Sequence, residues 1–300
     1  MRFGRSDALV TPARYRAVIR FSAFTVSLPE WSPEEAVESL AALGYEGIEW
    51  RVVDQIDAPE PSFWFGNRCT LPLTSFVDDA PRIRKLCDDA GLAIPNVGGY
   101  ATCHEPEDVA TLMQGAARLG APSIRVRLPE YDGSVPYLPV RDAARRAFDG
   151  IERLARRHGV RALVELHMQS PIASSSAAAS FLADRDPAHV GVIYDPGNLV
   201  FEGYEHPRAA VEILGPWLQH VHLKNASWNH RGTRADGSEA WRAEFAPLRA
   251  GAVDVAAVFA ALGAVEYDGW VSFEDFSTAA PMPERTRDNL EYAREVLART

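Results

Sequence analysis

The chain has 300 residues, 47% of them hydrophobic, and a formal charge of −10 from 31 basic and 41 acidic side chains. That suffices for one large core, while an acidic balance with no Lys/Arg-rich block argues against nucleic acid, whose phosphates need neutralising cations. No window reaches the ~18 consecutive apolar residues of a membrane span, and Cys69, Cys87 and Cys103 form no CxxC pair. No membrane partner, no disulfide framework and a reducing cytoplasm are therefore expected.

Residues 1–14 carry Arg2, Arg5 and Arg14 without a continuous apolar stretch and read as an N-terminal extension to a single domain over 15–300. A first strand is expected over 18–26. Ser32-Pro33-Glu34-Glu35 then supplies an N-cap, a proline at the first helical position and a capping-box carboxylate for a helix that Gly44 closes. A strand over 47–53, a helix near 80–90 and a strand over 93–98 follow, then a helix near 106–119 and a strand over 123–128. The pattern continues as helix 139–157, strand 162–167, helix 174–183, strand 191–195, helix 207–214, strand 220–224, helix 253–262, strand 270–275 and helix 284–298. Eight such units in alternation predict an α/β fold, a (β/α)8 TIM barrel. Two connections exceed simple turns: 54–78, rich in Pro and aromatics, and 225–251, with Trp228, His230, Arg231 and Trp241. Both follow strands, so both are expected as substrate-covering loops over the C-terminal mouth.

Four of the expected strands end on metal-capable side chains: Glu165-x-His167, Asp195, His220-x-His222 and Glu274. Alternate residues of a strand share a face, so these point into the barrel while Val164, Leu166, Val221, Leu223, Val271 and Phe273 pack on the helices. Three carboxylates and an imidazole buried together need a compensating charge, and one divalent cation supplies it, provided that no bonded arginine or lysine already fills their centre. Oxygen and nitrogen donors without sulfur suit Mn2+ first, and also Mg2+, Co2+ or Zn2+. The same alternation turns Glu49, Arg51, Ser123, Arg125 and Arg127 inward. This predicts either an ion pair of Glu49 with Arg125 or Arg127, or contacts to a substrate carboxylate or hydroxyl. His220 reads as a core histidine satisfied by a neighbour, and Lys224 as an oxyanion stabiliser or a partner of Asp195 or Glu274. Trp64, Phe65 and Trp228 are candidate pocket walls, with Trp50 expected against a helix.

The stretches Gly191-Val-Ile-Tyr-Asp-Pro-Gly-Asn198, His220-Val-His-Leu-Lys-Asn225 and Tyr267-Asp-Gly-Trp-Val-Ser-Phe-Glu274 resemble the sugar phosphate isomerase/epimerase group of xylose isomerase-like TIM barrels, over about residues 17–297. The resemblance implies that Glu165, Asp195, His222 and Glu274 hold one divalent cation, and that Glu165 and Glu274 are the catalytic pair. It implies proton transfer beside the carbonyl of a sugar or sugar-like hydroxyketone, through an enediolate that the metal stabilises. Reprotonation on the other face of one carbon is epimerisation, and on the adjacent carbon aldose–ketose exchange. His167 fits the group's Glu-x-His pattern, where it binds a substrate hydroxyl or orients a neighbour. The chain departs from ketose 3-epimerases of the group at Asn198, where they carry histidine, and at Trp228, where they carry arginine, with Arg231 a nearby substitute. Such departures point to a bulkier or less polar substrate, such as a glycoside or cyclitol. The nearest rival is a lyase on this scaffold, inosose or dehydroshikimate dehydratase-like or a C-glycoside-cleaving subunit. Weaker rivals are an endonuclease IV-like barrel, opposed by the acidic balance, and a non-catalytic metal-binding subunit. A homo-oligomer or a partner subunit is compatible with each.

Overall fold

The computed structural model describes residues 19–300, so the expected extension (1–14) and Val18 lie outside the described residues. The strands are β1 (Arg20–Phe24), β2 (Gly47–Val52), β3 (Thr70–Leu71), β4 (Val97–Gly99), β5 (Ser123–Arg125), β6 (Arg161–Glu165), β7 (Val190–Tyr194), β8 (Leu218–Leu223), β9 (Asn225–Thr233), β10 (Glu239–Ala246) and β11 (Trp270–Phe273). Neighbours in the order β1, β11, β8, β7, β6, β5, β4, β2 pair in parallel, and β1 with β2 (Phe24 opposite Glu49) closes the expected eight-stranded barrel. The helices are α1 (Pro33–Leu43), α2 (Phe76–Ala90), α3 (Pro106–Leu119), α4 (Tyr137–His158), α5 (Ser175–Leu182), α6 (Pro196–Phe201), α7 (Pro207–Leu214), α8 (Val255–Ala264) and α9 (Met282–Arg299). At the start of α1 the capping box forms as written in the sequence: Glu35 N donates to Ser32 Oγ (3.2 Å) and Ser32 N to the Glu35 carboxylate (2.7 Å). None of the described helices is long and apolar enough to cross a membrane.

The outward strand residues Val164, Leu166, Val221, Leu223, Val271 and Phe273 are all buried in the layer between strands and helices. The interior of the barrel is more polar, holding Glu49, His220, His222, Ser22 and Ser272 out of solvent. Phe24 fills its centre, and β4 makes room by carrying Gly98, where a Cβ would stand 2.1 Å from Phe24 Cζ.

One expected loop is a regular element. Residues 225–251 contain the antiparallel hairpin β9–β10, in which Trp228 faces Ala243 and Trp241 faces His230. Asn225 ties its base down: its side chain donates to Leu248 O (2.8 Å) and Val253 O (3.2 Å) and accepts from Val253 N (2.8 Å). The connection 54–78 contains β3 and the start of α2. The two connections meet over the mouth at Phe276, whose ring lies 5.1 Å from Phe63, 4.8 Å from Trp64 and 4.9 Å from Phe245.

Candidate active site

Asp-Pro-Gly-Asn is a strand-to-helix joint before it is anything else. Asp195, just past β7, caps α6 by accepting from Asn198 N at Oδ1 (2.9 Å), and Pro196 occupies the first helical position. A Cβ at Gly197 would stand 2.4 Å from Lys224 Cγ, so glycine lets α6 lie against the end of β8. With Oδ1 committed to the cap, Oδ2 is turned to the barrel axis. Lys224 Nζ lies 2.9 Å from it but off the line that a hydrogen bond needs, so this buried oxygen has no hydrogen-bond donor among the described residues.

Around that oxygen stand the other expected ligands. Glu165, at the end of β6, accepts from His222 Nδ1 (3.0 Å), from Arg125 Nη1 (2.7 Å) and from Asn198 Nδ2 (3.4 Å). His222 Nδ1 is 3.8 Å from Glu274 Oε2, just beyond β11. Glu165, Asp195, His222 and Glu274 each offer a ligand atom within 4.8 Å of the others, and all four are buried. Such a set could hold a metal ion.

The electrostatics of the cluster agree with that. Burial alone would push the Glu165 carboxyl up, but the Arg125 guanidinium, with His222 and Lys224, holds it well below the usual carboxylate range. Asp195 is pushed up to about 7, first by burial and then by Glu165 and Glu274, against the pull of Lys224. Burial opposes charge on His222, yet Glu49 and Glu165 on its two nitrogens hold it protonated well above the ordinary imidazole value. The buried carboxylates of Glu49, Glu165, Asp195 and Glu274 face two fixed cations, Arg125 and Lys224, and the His222 imidazolium, whose proton a metal ion at Nδ1 has to displace. Once that proton and any on Asp195 have left, four carboxylates face two cations, and the two negative charges remaining beside an orphaned oxygen are what a divalent cation neutralises. The donor set therefore fits the ion, in exchange for the hold that Lys224 has on Glu274 and Asp195.

Two expectations need correction. Glu49 pairs with neither Arg125 nor Arg127. It accepts from His220 Nε2 (2.9 Å), His222 Nε2 (3.1 Å) and Asn96 Nδ2 (2.8 Å), while Arg125 turns to Glu165 on the adjacent strand. The reason is registry: β5 pairs with β6, whereas Glu49 reaches β8 past Ser272 and Ser22, small residues opposite one another on β11 and β1. The centre of the cluster is also not free of a bonded lysine. Lys224 Nζ bonds Glu274, approaches Asp195 and lies 3.9 Å from Glu165.

A cavity of about 570 Å³ opens on the mouth side of these groups, within the usual range for small-molecule sites. Of the expected residues, Glu165, Glu274, His167, Lys224 and Arg127 line it, together with Trp64 and Phe65. His167 Nδ1 sits 2.6 Å from Met168 O, and burial lowers its pKa. Asn198 and Glu49 lie behind the lining, against Glu165 and His222. Trp228 and Arg231 belong to the hairpin instead: Trp228 Nε1 donates to Val200 O (2.8 Å) and Arg231 pairs with Glu244 across the strands. Trp50 is fully buried. Sequence reasoning passed over Tyr100, Phe245 and Phe276, which line the cavity just past β4, within β10 and past β11. Their one signal is an aromatic at or beyond the C-terminal end of a strand.

A sequence profile of the xylose isomerase-like TIM barrel family matches residues 37–296. Among curated proteins, an inosose dehydratase of Geobacillus thermodenitrificans is 30% identical over 134 residues, 42% of this chain and 45% of that one, so the matched segment spans under half of the relative. Among solved structures, the IOLI protein with a bound zinc atom superposes with a TM-score of 0.71 at 14% identity, covering 94% of this chain and 99% of that one. The 3-keto-D-glucoside 4-epimerase of E. coli does so with 0.69 at 17% identity, covering 92% and 99%. At such identities the likeness is one of fold.

Proposed function

Because the chain belongs to the xylose isomerase-like TIM barrel family, we propose that it is a divalent-metal-dependent isomerase or epimerase of a sugar or sugar-like hydroxyketone. One observation carries this reading: Glu165 and Glu274 both line the cavity and both stand within 3.8 Å of His222 Nδ1. Glu165, Asp195, His222 and Glu274 would hold the ion, with Mn2+ first and Mg2+, Co2+ or Zn2+ also suited. Bound there, the cation supplies Lewis-acid polarisation of a substrate carbonyl, which acidifies the neighbouring C–H.

Glu165 can accept that proton only as an anion, and Arg125 at 2.7 Å keeps it so. Glu274 is the matching group for proton return, and the Lys224 ammonium that bonds it is the source of the proton it passes on. Glu49 behind His222 and Asn198 behind Glu165 fix those two side chains. His167 and Arg127 are the groups placed to meet substrate oxygens. Trp64, Phe245 and Phe276 exclude water from the same space, which strengthens each of these interactions. The substrate is proposed as a carbohydrate or cyclitol.

The identity with inosose dehydratase supports a second reading, in which the carbanion expels a β-hydroxyl instead of being reprotonated. The two separate in one experiment: Mn2+-loaded protein is incubated with neutral, carboxylated and phosphorylated ketohexoses and with an inosose in D2O and followed by NMR. Deuterium entering beside the carbonyl together with an isomer is expected; loss of water without an isomer selects the lyase, and no exchange with any of them rejects both. Glu274→Gln should keep the fold by circular dichroism and lose at least about 100-fold in turnover. Wild-type rates would remove its acid/base role.

A further inference from the structure

The cavity has a second pole. Arg51, on β2, lines it with 3% exposure, and no Asp or Glu pairs with it among the described residues. Its Nη atoms donate to neutral acceptors, Gln55 Oε1 (2.9 Å), Thr70 Oγ1 (2.7 Å) and Trp64 O (3.2 Å), and its buried Nε has no partner. A dry guanidinium without a counter-ion is costly, and folds seldom retain one without an anion to meet it. Arg127 stands nearby, for the guanidinium carbons of Arg51 and Arg127 lie 4.8 and 5.7 Å from the centroid of Tyr100. Its sole carboxylate contact among the described residues is Glu130 at 3.4 Å, which is 82% exposed, and such solvated pairs yield readily. Arg125, at 4.6 Å from the same ring, is already committed to Glu165 and ties this pole to the carboxylate end.

We infer that Arg51 and Arg127 form an oxyanion subsite, so that the substrate is an acidic sugar derivative bearing a carboxylate or a phosphate, held with its reacting carbon toward Glu165 and Glu274. This rests on the reading of the cavity as a sugar site. It goes beyond that reading, because it excludes a neutral ketose or cyclitol as the preferred ligand. Arginine suits the role, since its planar fork pairs bidentately with either oxyanion.

Three probes identical except at C6 test it on the Mn2+-loaded protein by titration calorimetry: D-fructose, D-fructuronate and D-fructose 6-phosphate. At least one acidic probe should bind about tenfold or more tighter than D-fructose, a preference that falls in high salt. Which one wins tells carboxylate from phosphate. Arg127→Gln should erase most of the preference, weakening the acidic probe about tenfold or more beyond any loss in D-fructose affinity. Arg51→Lys should retain part of the preference and Arg51→Gln should lose it, provided that circular dichroism shows both folded; Arg127→Gln decides alone if they are not. Equal or tighter binding of D-fructose, no binding of either acidic probe, or an unchanged preference in Arg127→Gln overturns the inference. Solvent-deuterium exchange on D-fructose without any anion preference would sink this subsite and leave the proposed chemistry standing. Tight acid binding with no exchange would do the reverse.

Discussion

Lys224 carries an unusual share of the site. Its ammonium bonds Glu274, stands 2.9 Å from Asp195 Oδ2 and 3.9 Å from Glu165 Oε1, and is itself buried between Phe245 and Phe276. It occupies the same oxygens that a divalent cation would need, so protein and ion compete for them. Lys224→Gln should therefore weaken the chelator-treated protein by about 3–5 kcal/mol, the usual cost of leaving buried charges unpaired. It should also raise the affinity for Mn2+. Urea unfolding and a calorimetric Mn2+ titration check the two halves; an unchanged affinity would mean that lysine and ion use different oxygens. That Lys224 faces the cluster was legible, because alternate positions on a strand share a face and His220, His222 and Lys224 are alternate. Its pairing with Glu274 and its approach to Asp195 are one of the two alternatives the sequence leaves open, whereas its place at the centre of the cluster depends on the three-dimensional arrangement of β6, β7 and β11 around it. The Glu49 pairing was not legible at all, since it depends on two serines of other strands leaving a path across the barrel.

At the level of elements, all eight barrel strands and the long helices were readable from their periods, the helices also from chemical start and stop signals such as Ser32-Pro33 and Gly44 around α1. The short helix α6 was missed: six residues give no period, and its cap is the residue set aside as a metal ligand. The hairpin β9–β10 was missed because its faces are too evenly wet for alternation to show, with Trp228 and Trp241 each about half exposed. Its signal was Asp236-Gly237, the turn where Gly237 N donates to Arg234 O (3.0 Å). The hairpin brings Phe245 to the cavity wall and hangs on Asn225. Asn225→Ala strands the buried Val253 N–H and the Leu248 carbonyl, so a loss of about 2–3 kcal/mol is expected. Limited proteolysis should then cut within 225–251 before the barrel; an uncut hairpin would show that its strands hold it without the anchor.

For the whole molecule, the balance of buried charge makes a stronger demand than any single contact. A closed barrel cannot relieve an excess of buried negative charge by opening an edge, and the carboxylates that bear it sit on β2 and β6 and just past β7 and β11. Neutralising them thus stabilises the barrel as a unit rather than one loop. A divalent cation at 100 times its dissociation constant should add about 2.7 kcal/mol, raising the unfolding temperature by about 5 °C for a chain of this size. Scanning calorimetry of chelator-treated protein with and without MnCl2 measures this directly. Asp195→Asn supplies the control, because asparagine also caps a helix and should preserve the Oδ1 bond to Asn198 N while removing the charge at Oδ2. That variant is expected to fold, to be at least as stable as the wild type without metal, and to lose the metal-dependent shift. A full shift in Asp195→Asn would place the ion elsewhere in the barrel, with Glu49, His220 and His222 the next group able to hold it.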